Sequence, residues 1–300
     1  MKHAPEVPDV VVAGPVSWNE IVHLDALPDA VPHTVFANGS YRTVGGTSAG
    51  KALNLAALGR RVLLRTVLGD DDAGRSARAA LAVPGLELAA AAAADGRTER
   101  HLNLMGSGSE RLSVYLHAPS DVPTSDPGWE RTLAALDEAR AVVVDLAPHA
   151  QPLLAEAARR GVPVWADVHD WDSRAAFHRP WVDAASYLFL SSERLPEHRA
   201  LMSERVAAGA RLVVCTHGAD GATALDADGR WYHVDAVPVE RVVDTNGAGD
   251  GFVAGFVDAT LDGADVPEAL AVAARHAADV VTSEGLAPAR SEVEHRRRAI

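Results

Sequence analysis

Short apolar runs recur along the chain and alternate with segments whose apolar residues repeat at the spacing of an amphipathic helix. An uninterrupted apolar run of about four to eight residues is typical of a strand buried on both faces of a parallel sheet, and parallel strands require helical crossovers. The alternation therefore predicts an α/β fold, a three-layer α/β/α sandwich with a mostly parallel central sheet. The predicted strands are residues 9–13, 62–67, 141–144, 162–166, 187–190 and 212–215. The predicted helices are residues 49–58, 73–81, 129–139, 151–160, 204–208, 249–261 and 267–283.

Two segments interrupt this rhythm, residues 18–44 and residues 97–117. Apolar and polar residues alternate in both, and a turn rich in glycine and serine divides the second segment at residues 106–109. A period of two residues indicates half-exposed strands, so we expect antiparallel strands and hairpins that form a small sheet outside the main one. A further hairpin is predicted from residues 223–225 and 231–234, which flank a turn-forming sequence.

Composition limits the class of protein. The 300 residues are 48% hydrophobic and contain no repeat or linker that would divide them, so residues 1–300 are predicted to form one domain. The formal net charge of −13 argues against binding to nucleic acid, which needs clustered positive charge. The single cysteine, Cys215, cannot form an internal disulfide, and neither an export signal nor an apolar span of ~20 residues is visible. We expect a soluble cytoplasmic protein that binds neither nucleic acid nor membranes.

Residues 244–252 carry the clearest chemical signal. The small residues Gly247, Ala248 and Gly249 enter a predicted helix, and the first N–H groups of a helix have no intrahelical partner. Together with the helix dipole, these groups favour an anion such as phosphate. Asp250 follows in the first turn, where a carboxylate beside an anion hole can accept the proton of a substrate hydroxyl. Alternatively, this carboxylate only complements the helix dipole.

The same segment resembles, almost position for position, the second signature of the ribokinase-like, or PfkB, family of carbohydrate kinases. The resemblance implies a kinase that uses ATP and Mg²⁺ and phosphorylates a hydroxyl of a small ribose-, fructose- or sugar-acid-like molecule. It makes Asp250 the catalytic base and the three residues before it the anion hole. It also places Asp244 and Asn246 beside a site for a monovalent cation such as K⁺.

The resemblance extends over the whole chain, and a pair of glycines at a helix start matches the first signature of the family. It implies that the acceptor, the small molecule whose hydroxyl is phosphorylated, is bound by Asn19, Gly45, Gly46, Gly50 and Lys51. Asn19 stands where the family usually has Asp, and Gly50 stands where it has Asn. A lysine near a helix start opposes the dipole, so Lys51 would need a compensating anion, such as an acid or phosphate group of the substrate. Alternatively, Lys51 points into solvent.

On the other side of the cleft, the loop after the last predicted parallel strand resembles the nucleotide loop of the family. The resemblance implies nucleotide contacts from Thr216, Gly218, Ser191 and His276. The segment that includes Ser191 replaces the Asn-x-x-Glu motif of many relatives and lacks its Asn. Its glutamate, Glu193, would hold Mg²⁺ through water, or it is an ordinary acidic residue at a helix start.

The two alternating segments fall where the family has its β-lid. Closure of a lid over the reacting phosphate would exclude water and so limit hydrolysis of ATP. Relatives often pair through the lid, so we expect a homodimer. Val35, Leu102 and Leu104 are the candidates for an apolar outer face of the lid.

Other functions compete with this one. Residues 45–52 are one residue short of a Walker A motif, but Ala52 has no hydroxyl for Mg²⁺ and the preceding strand is polar, which disfavours a P-loop ATPase. The loop after Gly14 lacks the G-x-G-x-x-G pattern of a dinucleotide-binding dehydrogenase. A nucleoside kinase of the same family stays open, and so does a sugar or nucleotide sensor without catalysis. The intact Asp250 argues against the sensor.

Overall fold

Thirteen strands and eight α-helices lie within the part of the chain that this computed structural model describes, residues 7–107, 110–119, 124–169, 171–283 and 285–288. The strands are β1 (Val10–Ala13), β2 (Ser17–His23), β3 (Gly39–Gly45), β4 (Val62–Leu68), β5 (Leu86–Ala92), β6 (Glu99–Met105), β7 (Arg111–His117), β8 (Ala141–Val144), β9 (Val164–Asp167), β10 (Ala185–Ser191), β11 (Leu212–Thr216), β12 (Ala222–Asp226) and β13 (Trp231–Val234). The helices are α1 (Thr47–Ala57), α2 (Asp72–Ala80), α3 (Pro127–Leu136), α4 (Gln151–Arg160), α5 (Arg179–Ala184), α6 (His198–Ala207), α7 (Ala248–Leu261) and α8 (Val266–Val281).

Nine of the described strands form the main sheet, in the order β13-β12-β11-β10-β9-β8-β1-β4-β5. Every neighbouring pair from β11 to β5 is parallel. The last two strands, β12 and β13, form the predicted antiparallel hairpin at one edge. All six predicted parallel strands are confirmed, with ends that differ by at most two residues from the prediction.

The side chains of the main sheet alternate between two hydrophobic cores. In β1, Val10 and Val12 belong to one core, whereas Val11 and Ala13 belong to the other. Helices α1, α2, α7 and α8 contribute to the first core, and helices α3 to α6 contribute to the second. Each face of the sheet is thus covered by helices, which confirms the three-layer α/β/α arrangement. None of the helices in the described residues is both long and apolar enough to cross a membrane.

A second, four-stranded sheet has the order β3-β2-β6-β7 and occupies the two segments of alternating sequence. The pairs β2–β3 and β6–β7 are antiparallel as predicted, but β2 and β6 are parallel, with Asn19 opposite His101. The prediction of antiparallel strands is therefore wrong for the central pair, β2 and β6. After β3 the chain passes through α1, β4, α2 and β5 before it returns to this sheet as β6. This long crossover lets β6 run in the same direction as β2. Within the predicted turn at residues 106–109, Gly108 and Ser109 lie outside the described residues.

Three elements differ from the sequence prediction: β5, α5 and α6, of which α5 lies in a segment for which the sequence predicts no helix. Strand β5 was not predicted, because its sequence LELAAAA is rich in alanine, which is uncommon in strands. Its parallel pairing with β4 runs from Val62 opposite Leu86 to Leu68 opposite Ala92 and places it at the edge of the main sheet. Helix α6 begins at His198, well before the predicted start at residue 204.

Candidate active site

The side chain of Lys51 lies wholly buried among three carboxylates. Its Nζ donates a hydrogen bond to Asp250 Oδ1 at 2.7 Å and lies 3.1 Å from Asp167 Oδ2 and 3.2 Å from Asp145 Oδ1. Asp145 directly follows β8, Asp167 ends β9, and Lys51 and Asp250 lie near the N-termini of α1 and α7. The carboxyl ends of neighbouring parallel strands meet at one edge of the sheet, which is where such folds place ligands. We call these four residues the Lys51 cluster.

The position of Lys51 decides between the two alternatives from the sequence. The solvent-directed alternative is wrong, because the residue has 0% exposure. The compensating anions belong to the protein itself, so no acid group of a substrate is needed to balance the charge. Burial alone would lower the pKa of Lys51, but Asp145, Asp250 and Asp167 together raise it above its ordinary value. The side chain therefore stays an ammonium, and its three N–H donors face three carboxylates.

Small residues allow α1 to approach this cluster closely. A Cβ atom on Gly50 would lie 2.4 Å from Asp250 Oδ2, so only glycine leaves room for that carboxylate. The helix begins after Gly46, whose φ of 93° lies in the left-handed region that glycine adopts without strain. In the first turn of α1, Ser48 Oγ donates a hydrogen bond to Asp145 Oδ2 at 2.8 Å. The glycine at position 50, which departs from the family pattern, thus has a packing reason.

The carboxylates of Asp250 and Asp167 have different proton affinities. Burial raises the pKa of Asp250, Lys51 and His169 oppose the rise, Asp145 adds to it, and the result is about 6. Burial would also raise the pKa of Asp167, but His169 and Lys51 outweigh it and hold that pKa below its usual value. His169 donates its backbone N–H to Asp167 Oδ1 at 3.0 Å, and its Nδ1 lies 3.3 Å from Oδ2. Asp250 can therefore take up a proton near neutral pH, whereas Asp167 remains ionised.

The predicted anion hole forms the N-terminus of α7. Gly247 precedes the helix with a φ of 84°, and no side chain caps the first N–H groups. A Cβ atom on Gly249 would meet no atom within 4 Å, so the space in front of this turn is open. The Ala248 N–H donates a long backbone hydrogen bond to Thr245 O at 3.3 Å. The other N–H groups at this helix N-terminus, next to the carboxylate of Asp250, are suited to an anion such as a phosphoryl group.

The buried face of the small sheet, here called the inner face, is mostly polar, with Ile21 and Met105 as its apolar residues on β2 and β6. It carries Ser17 and Asn19 on β2 and Glu99, His101 and Asn103 on β6, all of them buried. Glu99 Oε1 accepts a hydrogen bond from His101 Nε2 at 2.8 Å. In contrast, Ser17 Oγ, Asn19 Oδ1 and Asn103 Oδ1 have no hydrogen-bond partner among the residues that the structure describes. Buried polar atoms without a partner are uncommon and are costly unless a ligand or water satisfies them.

The inner face adjoins the Lys51 cluster through Gly45. This residue ends β3, immediately before Gly46 and α1. A Cβ atom on Gly45 would lie 2.0 Å from Asn19 Nδ2 and 2.8 Å from Ser17 Oγ, so both side chains lie directly against the chain that leads to Lys51. The five predicted acceptor-side residues thus belong to one continuous region.

Three of the predicted nucleotide residues lie at neighbouring strand ends. Ser191 ends β10 and pairs in register with Thr216, which ends β11. Gly218 follows with a φ of 59° in a short helical turn, where glycine is free of strain. His217 lies between them, with its ring nitrogens 2.9 Å from Ser192 Oγ and from Thr223 Oγ1. This edge is the same carboxyl edge of the sheet that holds the Lys51 cluster.

His276, the fourth predicted nucleotide residue, lies on α8 and is buried. Its Nε2 lies 2.8 Å from Asn54 Oδ1, so this nitrogen contacts α1 in the interior. The residue also lines a cavity of about 990 Å³ between residues 237–243 and helices α7 and α8. A contact with a nucleotide would be made from this cavity wall, and it stays a prediction.

The residues predicted near metals have distinct environments. Asp244 is buried, with Oδ1 accepting the backbone N–H of Asn246 at 2.8 Å and Oδ2 accepting the Tyr41 hydroxyl at 2.8 Å. Glu193 is exposed in a turn, and α6 begins only at His198. The alternative that Glu193 starts a helix is therefore wrong.

Comparisons with known proteins cover nearly the whole chain. The family model described as "pfkB family carbohydrate kinase" matches residues 21–292. The chain is 33% identical over 261 residues to the acarbose 7(IV)-phosphotransferase of Actinoplanes sp., a match that covers 85% of this chain and 86% of that protein. A solved structure of a microbiome-derived acarbose kinase superposes with a TM-score of 0.83 at 29% identity and covers 97% of this chain and 99% of its own. Ribokinase from Arabidopsis thaliana, solved with ribose and ATP, has the same fold, with a TM-score of 0.78 at 22% identity and coverage of 97% and 98%.

Proposed function

The chain belongs to the pfkB family of carbohydrate kinases, and from this we propose that it transfers the γ-phosphate of ATP to a hydroxyl group of a small polyhydroxylated acceptor. One observation carries the proposal. The carboxylate of Asp250 is buried beside the open N-terminus of α7, and its pKa of about 6 suits a base that works near neutral pH. The names of the relatives, an acarbose phosphotransferase and an acarbose kinase, support a sugar hydroxyl as the acceptor.

Asp250 is the general base in this proposal. Lys51 holds Oδ1 of its carboxylate by a hydrogen bond of 2.7 Å, and Oδ2 lies on the side of Gly50. The acceptor hydroxyl would donate its proton to Oδ2 as its oxygen attacks the γ-phosphorus, and the bond from the γ-phosphorus to the bridging oxygen would break to release ADP. A carboxylate with a pKa of about 6 is mostly ionised at neutral pH and so is ready to accept that proton.

The backbone at the start of α7 would stabilise the phosphoryl group in transit. The N–H groups of Gly247, Ala248 and Gly249 lie at a helix N-terminus without a side-chain cap. Charge spreads over the equatorial oxygens of a phosphoryl group during transfer, and fixed N–H donors stabilise it without reorganisation.

Acceptor and nucleotide would meet at this carboxylate from opposite sides. Asn19 and the glycines at positions 45 and 46 would position the acceptor on the side of the small sheet. Ser191, Thr216 and Gly218, at the ends of β10 and β11, would contact the nucleotide on the other side. Positioning of two reactants in one geometry supplies much of the rate enhancement in phosphoryl transfer.

The residues predicted near metals fit the ions that the family implies. Mg²⁺ prefers oxygen ligands and keeps several waters, so the exposed carboxylate of Glu193 suits a contact through water. The buried carboxylate of Asp244, next to Asn246, is a hard oxygen donor that suits a monovalent cation such as K⁺. Bound Mg²⁺ would neutralise charge on the nucleotide phosphates.

The small sheet would act as the lid and as the contact between two copies of the chain. Its outer face, opposite the inner face, carries cross-strand apolar pairs, Leu102 with Val114 and Leu104 with Leu112. Val35, Leu112 and Val114 are exposed. An exposed apolar face on a sheet of only four strands is typical of an interaction surface, and a second copy of the same face would cover it.

The proposal is tested by release of ADP from Mg-ATP against a panel of pentoses, hexoses, ketoses, oligosaccharides, sugar acids and nucleosides. We expect release that depends on at least one sugar. Release with nucleosides alone would establish the nucleoside kinase instead. Binding of ATP and a sugar without release would contradict catalysis and favour the sensor.

A further inference from the structure

A thiol and two imidazoles meet at the end of β11. Cys215 lies on this strand and is fully buried, His217 follows the strand, and His198 is the first residue of α6. Sγ of Cys215 lies 3.9 Å from His217 Nδ1, and the centroids of the two histidine rings are 4.9 Å apart. One possible ligand atom of each residue lies within 4.8 Å of the other two. We call these three residues the Cys215 cluster.

The spacing of these atoms is close to that around a tetrahedral metal ion. Zn–S bonds of about 2.3 Å and Zn–N bonds of about 2.0–2.1 Å in a tetrahedron separate neighbouring ligand atoms by roughly 3.3–3.6 Å. The distance of 3.9 Å between Cys215 Sγ and His217 Nδ1 is only slightly longer. Closure of all three side chains around an ion therefore requires movements of roughly 1 Å or less. Thiolate and imidazole together suit Zn²⁺, whereas Mg²⁺ prefers oxygen ligands.

The ring of His217 is already held in an orientation that suits coordination. Its Nε2 lies 2.9 Å from Thr223 Oγ1, and its Nδ1 lies 2.9 Å from Ser192 Oγ. When Nε2 carries the proton and donates it to Thr223, Nδ1 has the lone pair that faces the thiol. A histidine that binds a metal is commonly oriented by such a hydrogen bond from its other ring nitrogen. The Ser192 hydroxyl can rotate away from Nδ1 and so leaves that nitrogen accessible to an ion.

His198 has binding capacity that the protein does not use. Its Nδ1 is buried and has no hydrogen-bond partner within the described part of the chain. Such an atom is costly unless a ligand or water satisfies it. Arg199, whose charge opposes a cation near His217, stacks over the ring of Trp231 at 4.5 Å, and Asp220 adds negative charge in the following turn.

The protonation states of the ligands are compatible with binding. Burial and the positive groups nearby lower the pKa of His217, with Asp220 opposing them, so the imidazole is neutral at neutral pH and keeps its lone pair. Burial raises the pKa of the Cys215 thiol to about 12, so the thiol is protonated in the absence of a metal. Coordination forms a metal–sulfur bond, breaks the S–H bond and releases the proton to solvent.

We propose that Cys215, His217 and His198 form a binding site for a thiophilic cation of the Zn²⁺ class. Three protein ligands leave the fourth tetrahedral position open to water. None of the three residues belongs to the Lys51 cluster or to the residues predicted near Mg²⁺ and K⁺. Because His217 lies between Thr216 and Gly218, the cation would be bound beside the predicted nucleotide loop.

The test is a titration of Co²⁺, as a probe for the Zn²⁺ class, into chelator-treated protein that carries no histidine tag, in the presence of a phosphine reductant. Cys215 is the only cysteine of the chain, so a charge-transfer band from thiolate to Co²⁺ in the near ultraviolet can come from Cys215 alone. We expect this band, saturation at one Co²⁺ per chain, and loss of the band when Zn²⁺ displaces Co²⁺.

Variants identify the ligands. Cys215→Ala should abolish the band. His198→Gln and His217→Gln should each weaken Co²⁺ binding by at least about 10-fold, because loss of even an outer partner of a metal ligand has an effect of this size. His33→Gln is the matched control, since His33 is exposed between β2 and β3, and it should leave the affinity unchanged. Circular dichroism verifies the fold of each variant.

Absence of the band in the wild-type protein, or a band that excess Zn²⁺ does not remove, would overturn the inference. So would equal Co²⁺ affinities of the wild type and both folded histidine variants, because the thiol would then bind the ion without the imidazoles. If Cys215→Ala does not fold, the wild-type spectrum and His198→Gln decide. The readout is metal binding, so the result does not depend on the proposed kinase activity.

Discussion

Lys51 Nζ and Asp250 Oδ1 are 2.7 Å apart, in a contact where the lysine side chain is fully buried and the aspartate side chain is 10% exposed. The contact fixes one oxygen of the carboxylate, while the other lies against Gly50. In the proposed mechanism, Lys51, whose donors face three carboxylates, positions the base.

The wild-type activity should depend on ionisation of Asp250. Its pKa of about 6 lies above the ordinary value because it is buried, and only the ionised form accepts a proton. We therefore expect kcat/KM to rise with pH and to level off above an apparent pKa near 6. The measurement is a pH–rate profile at saturating Mg-ATP. A rise of kcat/KM centred near pH 4, the range of an ordinary aspartate, would show that burial does not raise the pKa of Asp250.

Replacement of Lys51 by Met should move the rise of kcat/KM in the pH–rate profile to higher pH. Without the ammonium, Asp250 keeps the desolvation and the charge of Asp145 but loses its nearest cation, so its pKa rises. We expect a shift of at least about one pH unit and a loss of about 3–5 kcal/mol in the free energy of unfolding, since three buried carboxylates lose their partner. Urea denaturation and the pH–rate profile measure the two effects.

Arg131→Met is the control for Lys51→Met, because it removes a cation paired with Glu87 outside the Lys51 cluster. In the Arg131→Met variant, the rise of kcat/KM should stay at the same pH as in the wild type. A Lys51→Met protein that folds and keeps the wild-type profile would remove Lys51 from its positioning role.

Replacement of Gly50 by Ala should lower kcat. The new Cβ would lie 2.4 Å from Asp250 Oδ2, so the carboxylate must move. Overpacking of this kind costs about 1–3 kcal/mol, and we expect kcat to fall by ~10-fold or more. Gly39→Ala is the control, because Gly39 lies on β3 with no atom within 4 Å of a Cβ. Equal kcat values for the two variants would show that the close approach to Asp250 is not required.

Replacement of Val114 by Glu should separate the two copies of a homodimer. Val114 is 40% exposed on the outer face of the small sheet, next to Leu102. A charge there would be buried at the contact without a partner. Sedimentation analysis should show a dimer for the wild type and a monomer for the variant. Phe177→Glu, at an exposed apolar residue outside the small sheet, should remain dimeric. A monomeric wild type would refute the contact.

The sequence predicts most of the fold because its signals are local. Buried parallel strands and amphipathic helices each leave a pattern within about ten residues, so all six predicted parallel strands are found. Strand β5 leaves no such pattern, because four alanines fill its sequence and only pairing with β4 makes it a strand. The parallel pairing of β2 with β6 depends on a long crossover, which no local period reveals.

The sequence predicts only those residues of the site that lie in a local pattern. Asp250 lies in a contiguous motif, whereas Asp145 and Asp167 gain their role only when β8 and β9 end beside Lys51. In the sequence, Asp145 directly follows an apolar strand. The same pattern is typical of a Walker B strand, so it does not by itself identify the role of Asp145. On β6, the alternating pattern predicts a strand, yet it does not tell which alternate residues, such as Glu99, face inward.

The role of Asp250 is tested by kcat of Asp250→Asn with the best acceptor from the panel, measured together with the affinity for ATP. Asn keeps the size of the side chain but cannot accept the proton, so kcat should fall by about 10²–10⁴-fold with little change in ATP binding. Asp228→Asn, in the exposed turn between β12 and β13, is the matched control and should match the wild type. A kcat for Asp250→Asn within a few-fold of the wild type would show that this buried carboxylate is not the base.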